Sequence, residues 1–444
     1  MRTAKQQTGF GRARRLAAFF LPAAVLAGAM AGSALARTQE SGEAGLANVN
    51  ARYVVEAIAV EPVGLARLSP GLRDRVQTLV GGRFDQQLLD ELGSLIRREM
   101  TNWDVTMNVS KGTAPEHLRV TFDVKRRAQE VKLTLPRLVY HSKQNFSFGL
   151  DTGFRHGAHT VRAGVLSDND ERVERFSGVR GGYELALSER VRVGANAETW
   201  RSQWNPATEE AVAPGSAAGT PGIYRTRNGL SPFAEIDLLG PSNKFARSLT
   251  LQLGVSFERL QMQYPAVRNE LSSAAIGTLR FQRRWEVSSS RTLDVDASYG
   301  TRIGTASLGG DFGYSRHHWQ TRATLQEGRH QWIATAQAGR IGGQAPLYER
   351  FVLGNSQTLR GWNRFELTPY GASRMAHGSI EYRYRLLRAI YDTGSAWQAG
   401  TAAKVRHSAA IGVTSGGTMQ ISALVAFPIR DGAIEPVFIT GLYF

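Results

Sequence analysis

The sequence predicts a mainly β chain, in which a C-terminal transmembrane antiparallel β-barrel follows one small α+β domain. Three observations predict it. From about residue 145 to the end, apolar and polar residues alternate with period two, the pattern of strands with one apolar and one polar face. The first residues have the form of a secretory signal. The chain stops on an aromatic residue, Phe444, inside an alternating strand, where termini normally fray. A last strand that closes a barrel, with its final ring in the membrane interface, accounts for that ending.

Residues 1–36 read as the signal peptide. Arg12, Arg14 and Arg15 form its basic region, Leu16 to Ala29 its apolar stretch, and Ala34-Leu35-Ala36 a small-x-small cleavage site, placing the mature start near Arg37. Pro22 interrupts the apolar stretch, which falls short of the ~20 residues of a spanning helix. Arg14-Arg15 would suit the twin-arginine route, but that route carries folded cargo and a barrel must cross unfolded. A polar stretch, Thr38 to Asn50, follows.

Residues 52–128 form the small domain. Tyr53 to Val60 alternates like a strand, and Leu72 to Val80 and Gln87 to Met100 read as helices, the second with Leu88, Leu92, Leu95 and Ile96 at helical spacing. Gly81-Gly82 separates them, because glycine ends one helix and permits the turn to the next. Val105 to Val109 and Leu118 to Val124 complete a β-α-α-β-β order of a size that holds one modest core.

Residues 145–444 form the barrel. Leu249, Leu251, Leu253, Val255 and Phe257 share one face; Leu279, Phe281, Trp285 and Val287 oppose Arg280, Gln282, Arg284 and Glu286; Leu293, Val295, Ala297 and Tyr299 oppose Asp294 and Asp296. A soluble sandwich also buries one face of each strand. The signal peptide, the terminal Phe444 and the aromatics near strand ends (Trp200, Trp285, Tyr299, Trp319, Trp332) favour a barrel whose charged side chains line a wet lumen. About fifteen strands can be placed by alternation, and barrels of this class have even strand numbers. Asn205 to Gly222, rich in Ala, Pro, Gly and Thr, reads as an extracellular loop. Low hydropathy does not argue against such a barrel, whose strands need only about ten alternating residues.

The net charge of +16 invites a nucleic-acid reading, but the basic residues are dispersed among alternating strands with no basic helix, so no nucleic acid is expected. The chain has no cysteine, which removes disulfides, thiolate metal sites and lipoprotein acylation. His317 and His318 are adjacent and would point to opposite faces of a strand, and His156 and His159 lie in a turn-like stretch without acidic ligands. No nucleophile motif marks a Ser–His pair. Neither an enzyme nor a cofactor or metal site is expected.

In the strand around Glu381, the residues Ile380, Tyr382, Tyr384 and Leu386 form the apolar set, so Glu381, Arg383 and Arg385 face the lumen; Asp392 is permitted an inward position. In the last strand Phe438, Leu442 and Phe444 share one face, opposite Ile439, Gly441 and Tyr443.

The succession Leu359-Arg360-Gly361-Trp362, Glu381-Tyr382-Arg383, Tyr391-Asp392-Thr393-Gly394 with Trp397, and a terminal Phe444 resembles the BamA/TamA superfamily of outer-membrane assembly factors and two-partner secretion transporters. Trp362 stands where that family usually has Phe or Tyr. The resemblance implies sixteen strands, an N-terminal POTRA-like domain whose turn is Gly81-Gly82-Arg83-Phe84, and a C-terminal barrel signal of Phe438, Leu442 and Phe444. It further implies that a loop around 350–370 folds into the barrel and that Arg360 contacts Glu381 and Asp392 on the inner wall. The expected function is assembly, insertion or translocation of other polypeptides at a bacterial outer membrane, with the POTRA-like domain in the periplasm. Export of a secreted partner and a passive porin-like channel are the alternatives. The implied partners are unfolded or nascent outer-membrane or secreted polypeptides, outer-membrane lipids and periplasmic accessory proteins.

Overall fold

The computed structural model describes residues 52–443 except 63, 101–102, 127–129, 189, 213–221, 240–246, 289, 416–419 and 433. The expected signal peptide and Phe444 lie outside the described residues. Among the described residues no helix is long and apolar enough to cross a membrane, which says nothing of strands.

The N-terminal unit follows the expected order: β1 (Val54–Glu61), helices Pro70–Leu79 and Gln86–Glu99, β2 (Trp103–Lys111) and β3 (His117–Arg126). The sheet order is β1-β3-β2, with β1 parallel and β2 antiparallel to β3. The second helix starts where the Asp85 carboxylate accepts hydrogen bonds from the amides of Gln87 and Leu88, and Gly81 makes the preceding turn at φ +82°. Its buried stripe is Leu89, Leu92 and Ile96, packed against Val120, Phe122 and Val124 of the sheet. Leu88, expected in that stripe, is 43% exposed: Leu89, Leu92 and Ile96, at i, i+3 and i+7, form the side that meets the sheet, and Leu88 lies at its edge.

The second unit is a closed antiparallel barrel of sixteen strands. In chain order these are β4 (Glu130–His141), β5 (Asn145–His156), β6 (His159–Asp168), β7 (Arg175–Ala186), β8 (Val191–Gln203), β9 (Ile223–Asp237), β10 (Arg247–Tyr264), β11 (Arg268–Ser288), β12 (Arg291–Gly304), β13 (Tyr314–Glu327), β14 (His330–Gly343), β15 (Arg374–Tyr384), β16 (Leu387–Trp397), β17 (Arg406–Thr414), β18 (Gln420–Ile429) and β19 (Val437–Tyr443). Each pairs with its chain neighbours, and β19 returns to β4. One end of the barrel carries short turns such as 157–158 and 328–329. The other carries the longer connections, including 344–373. These are called the turn end and the loop end.

Alternation sets the two faces as expected. Leu253, Phe257, Leu279, Tyr299, Trp319, Trp332, Ile380 and Tyr391 are exposed on the outer wall, and Phe438 and Leu442 take the same outward parity in β19. Inside, Arg280 pairs diagonally with Asp296 (2.5 Å), and Arg284 pairs with its register partner Asp294 (2.6 Å), across β11 and β12. An apolar outside and a charged inside is the arrangement of a membrane-spanning barrel. Two expectations change. Trp200 is 4% exposed and stacks edge-on against Phe176 inside the barrel, because it shares parity with the lumen residues Arg192 and Glu198. Arg385 is not a lumen residue: it sits in the 385–386 turn at φ +54°. The connection after Gln203 holds a short helix, Pro206–Val212, whose Thr208 hydroxyl donates to the Pro369 carbonyl (2.5 Å).

Candidate functional site: the loop folded into the barrel

Residues 344–373 leave β14 at the loop end and turn into the barrel, where Leu353 and Leu359 are fully buried and Phe351 and Trp362 nearly so. A knot of local bonds shapes the tip. The Asn355 carboxamide accepts from the amides of Gln357 (2.9 Å) and Thr358 (2.8 Å), and the amides of Gly354 and Asn355 both donate to the Thr358 carbonyl. Asn is suited to such a turn because its short side chain bonds backbone two residues on. Gly354 (φ +86°) and Leu359 (φ +44°) supply the left-handed bends, the second at a branched residue where such a backbone is uncommon.

The tip aims Arg360 at β16. Arg360 is 8% exposed and Asp392 1%. Arg360 Nη1 donates to Asp392 Oδ1 (2.7 Å), its own amide donates to Asp392 Oδ2 (3.2 Å), and Nε donates to the Ser356 carbonyl (3.1 Å). Ser379, in register with Asp392, lies 3.4 Å from Nη1, and the buried His377 places Nε2 3.7 Å from Asp392. Gly361 presses on β18: a Cβ there would stand 2.5 Å from the Phe427 carbonyl carbon and from the Pro428 nitrogen, so the requirement for glycine is close approach. Trp362 donates through its indole N–H to the His407 carbonyl of β17 (2.8 Å), and the guanidinium of Arg406 stacks 4.8 Å from its ring.

Glu381 is buried in the lumen wall but does not bond Arg360. Its carboxylate is taken by Arg388, at 2.6 and 2.9 Å, and by Arg383. Register explains the correction. The loop tip stands at the height of Ser379 and Asp392, whereas Glu381 faces Ile390 one inward row nearer the turn end, within reach of Arg388 on the adjacent strand.

Sequence reasoning missed two further anchors. The entering segment of the loop seats Tyr348 and Glu349 on the opposite wall. Arg302 Nε lies 2.9 Å from Glu349 Oε1, and Arg302 Nη2 donates to Glu258 (2.6 Å). Arg227 joins Glu258 (3.3 Å) to Glu198 (2.8 Å), and the Tyr348 hydroxyl donates to Ser272 (2.7 Å). The other anchor joins the tip to the first hairpins. Gln144 Nε2 donates to the Gly354 carbonyl (2.7 Å), the Ser356 amide (2.9 Å) and hydroxyl donate to Asp170, and Arg364 Nη1 donates to the Asn169 carbonyl (2.7 Å). Burial raises the Asp170 carboxyl above its ordinary range, with the Ser356 bonds opposing, and burial brings the Arg364 guanidinium down to about 10. The inward parity of Arg227, Glu258 and Arg302 was a readable signal; their pairing with a loop several strands further along the chain was not.

A charged cavity of about 1080 Å³ lies against this plug, lined among others by Asp151, Arg180, Glu198, Arg227 and Arg302. The arrangement can hold a loop in place and can release it by breaking polar contacts. Among the described residues no group of His, Cys, Asp or Glu could hold a metal ion.

Residues 277–422 match the model of the Omp85 superfamily domain. Among solved structures the chain is similar to BamA from Haemophilus ducreyi lacking POTRA domains 1–3, with a TM-score of 0.57, 14% identity, and 88% of this chain and 85% of that one covered. It is similar to CdiB from Acinetobacter baumannii, with a TM-score of 0.55, 12% identity, and 88% and 73% covered. CdiB from Escherichia coli gives a TM-score of 0.50 at 12% identity, covering 88% and 90%. At these identities the likeness is one of fold. No curated protein sequence matches the chain.

Proposed function

We propose, from the match of residues 277–422 to the model of the Omp85 superfamily domain, that the chain is an outer-membrane barrel that assembles, inserts or translocates other polypeptides. The observation that carries this reading is the closure of the barrel. β19 and β4 pair only over Ile439–Leu442 with Leu138–His141, the shortest ladder of the barrel among the described residues, and the inward loop is bonded to β16 on one side of it and to the β4–β5 turn on the other. In a bilayer an unpaired strand edge leaves amides and carbonyls without partners, so this seam parts favourably only when a client strand supplies replacement bonds. The N-terminal unit acts as a POTRA-like domain in the periplasm, at the turn end of the barrel. There β2 offers the free sheet edge, because the far edge of β1 is covered by residues 82–84 through bonds from Val55 to the Gly82 carbonyl and from Phe84 to the Tyr53 carbonyl. A client in extended form can add to β2 by main-chain bonds with little demand on its sequence. The protein works by binding and conformational change and is not an enzyme.

Export of a partner through the lumen is the second reading, favoured by the charged cavity and by the fold likeness to the CdiB structures. Depleting the protein and surveying the outer membrane and the medium separates the two. Loss of many barrels supports insertion, loss of one secreted protein supports export, and loss of small-solute uptake alone contradicts both.

A further inference from the structure

One row of the outer wall remains unexplained by client handling. His317, Arg340, Arg374 and Trp397 are successive register partners across β13, β14, β15 and β16 near the loop end. All four share outward parity with the exposed Trp319, Trp332, Ile380 and Tyr391, while their chain neighbours His318, Gly339 and Met375 face the loop inside. Arg340 and Arg374 therefore stand directly opposite each other as like charges, a destabilising pair unless an anion lies between them. Among the described residues neither has a carboxylate partner. Arg374 Nε is buried without a hydrogen-bond partner, and so is the hydroxyl of Ser395, 4% exposed and one outward row below Trp397. No acid occurs on the outward face of these strands above Glu327 at the turn end.

Below the arginines the wall is stripped to Ala336, Ala338, Ala376 and Gly378, flanked in register by Trp319 and Thr321 of β13 and by Ser395 and Thr393 of β16. Small residues between Trp319 and the short side chains of β16 leave a shallow vertical trough on the lipid side, with two guanidiniums at its top. We propose that this trough holds one phosphorylated lipid of the loop-end leaflet, its phosphate between Arg340 and Arg374 and an acyl chain along the alanines. Guanidinium forks match phosphate oxygens in paired hydrogen bonds, and the acyl chain fills the groove that larger side chains would occupy. The site rests on the reading of the barrel as an outer-membrane protein.

The test uses the full chain reconstituted in vesicles of phosphatidylcholine with a minor fraction of lipid A, extracted into detergent, washed, and analysed for bound lipid by native mass spectrometry. The wild-type protein is expected to retain lipid A and to lose phosphatidylcholine. Retention in R340Q/R374Q should fall at least about tenfold, because charge-assisted bonds to phosphate are replaced by neutral ones. R283Q, which removes an outward arginine stacked on Trp285 toward the turn end, should retain lipid as the wild type does. Equal retention of both lipids by the wild type overturns the proposal without any variant. Undiminished lipid A in a heat-modifiable R340Q/R374Q overturns it too, and displacement by inorganic phosphate reduces it to an ion site. Recovery of the wild type in the soluble fraction, with no mobility shift on heating, would instead sink the outer-membrane reading itself.

Discussion

The back wall and the seam of the barrel are built from the same kind of strand and are held differently. β10 and β11 pair without interruption from Arg247↔Arg283 to Met262↔Arg268, whereas β4 and β19 pair only between Leu138–His141 and Ile439–Leu442. With each ladder bond contributing about 1 kcal/mol net, the wall is a continuous hydrogen-bonded surface and the seam is the closure that parts at least cost. The seam is reinforced at its loop end by other means. The Ser142 amide donates to the Phe438 carbonyl (2.9 Å), Lys143 pairs with Glu435, and the inward loop spans the gap. Its Arg360 and Trp362 hold β16 and β17, while Gly354, Ser356 and Arg364 hold the first hairpins. Strength at the wall comes from backbone; at the seam it comes from side chains that can let go.

The largest effect on this balance is expected from Arg360→Ala. Removing one partner of a buried ion pair costs about 3–5 kcal/mol in a dry interior, and the wet cavity beside the plug reduces this. The variant should lose client handling and unfold at lower denaturant in heat-modifiability gels. Arg360→Lys should recover only part, since an ammonium cannot bond Asp392 and the Ser356 carbonyl in the same geometry. Gly361→Ala comes next: its Cβ must displace either the tip or the β18 backbone at Phe427 and Pro428, so proteolysis of the loop should accelerate while the barrel remains heat-modifiable. Ser356→Ala removes the hydroxyl bond to Asp170 and leaves the amide bond from the same residue in place. It should cost about 1 kcal/mol and raise exchange of the Ser356 and Gln357 amides without affecting those of β10 and β11. Glu381→Gln should be the mildest for the loop. It weakens the bonds of Arg388 and Arg383 but leaves the Arg360–Asp392 contact, so loop proteolysis should match that of the wild type. A Glu381 effect equal to that of Arg360→Ala would mean that the two acids act as one site.

Much of this was legible in sequence because alternation is a local property. Period two identified the strands, the faces of Leu279 and Arg280, and the outward parity of Phe438 and Leu442. The order of elements in the N-terminal unit was equally local, and only the choice between Leu88 and Leu89 depended on which side of the helix meets the sheet. Heights along the barrel are different, because they accumulate from register over many strands. That is why Asp392 and Glu381, both inward and both acidic, could not be told apart until Ser379 was found opposite Asp392. The Tyr348–Glu349 anchor and the Asp170 contact join segments that only barrel closure brings together. The close approach of Gly361 to β18 and the left-handed backbone at Leu359 depend on where the loop meets the wall, which no local pattern encodes.

The most direct test locks each ladder in turn. The chain has no cysteine, so Tyr140→Cys with Thr440→Cys, register partners across the seam, and Val255→Cys with Ala275→Cys, register partners in the wall, can be oxidised without side reactions. Both pairs should form disulfides in the assembled barrel. Oxidising the seam pair should abolish appearance of client proteins in the outer membrane, and reduction should restore it; oxidising the wall pair should leave client handling unchanged. Full client handling with the seam pair quantitatively crosslinked would contradict the claim that the protein works by parting β4 from β19.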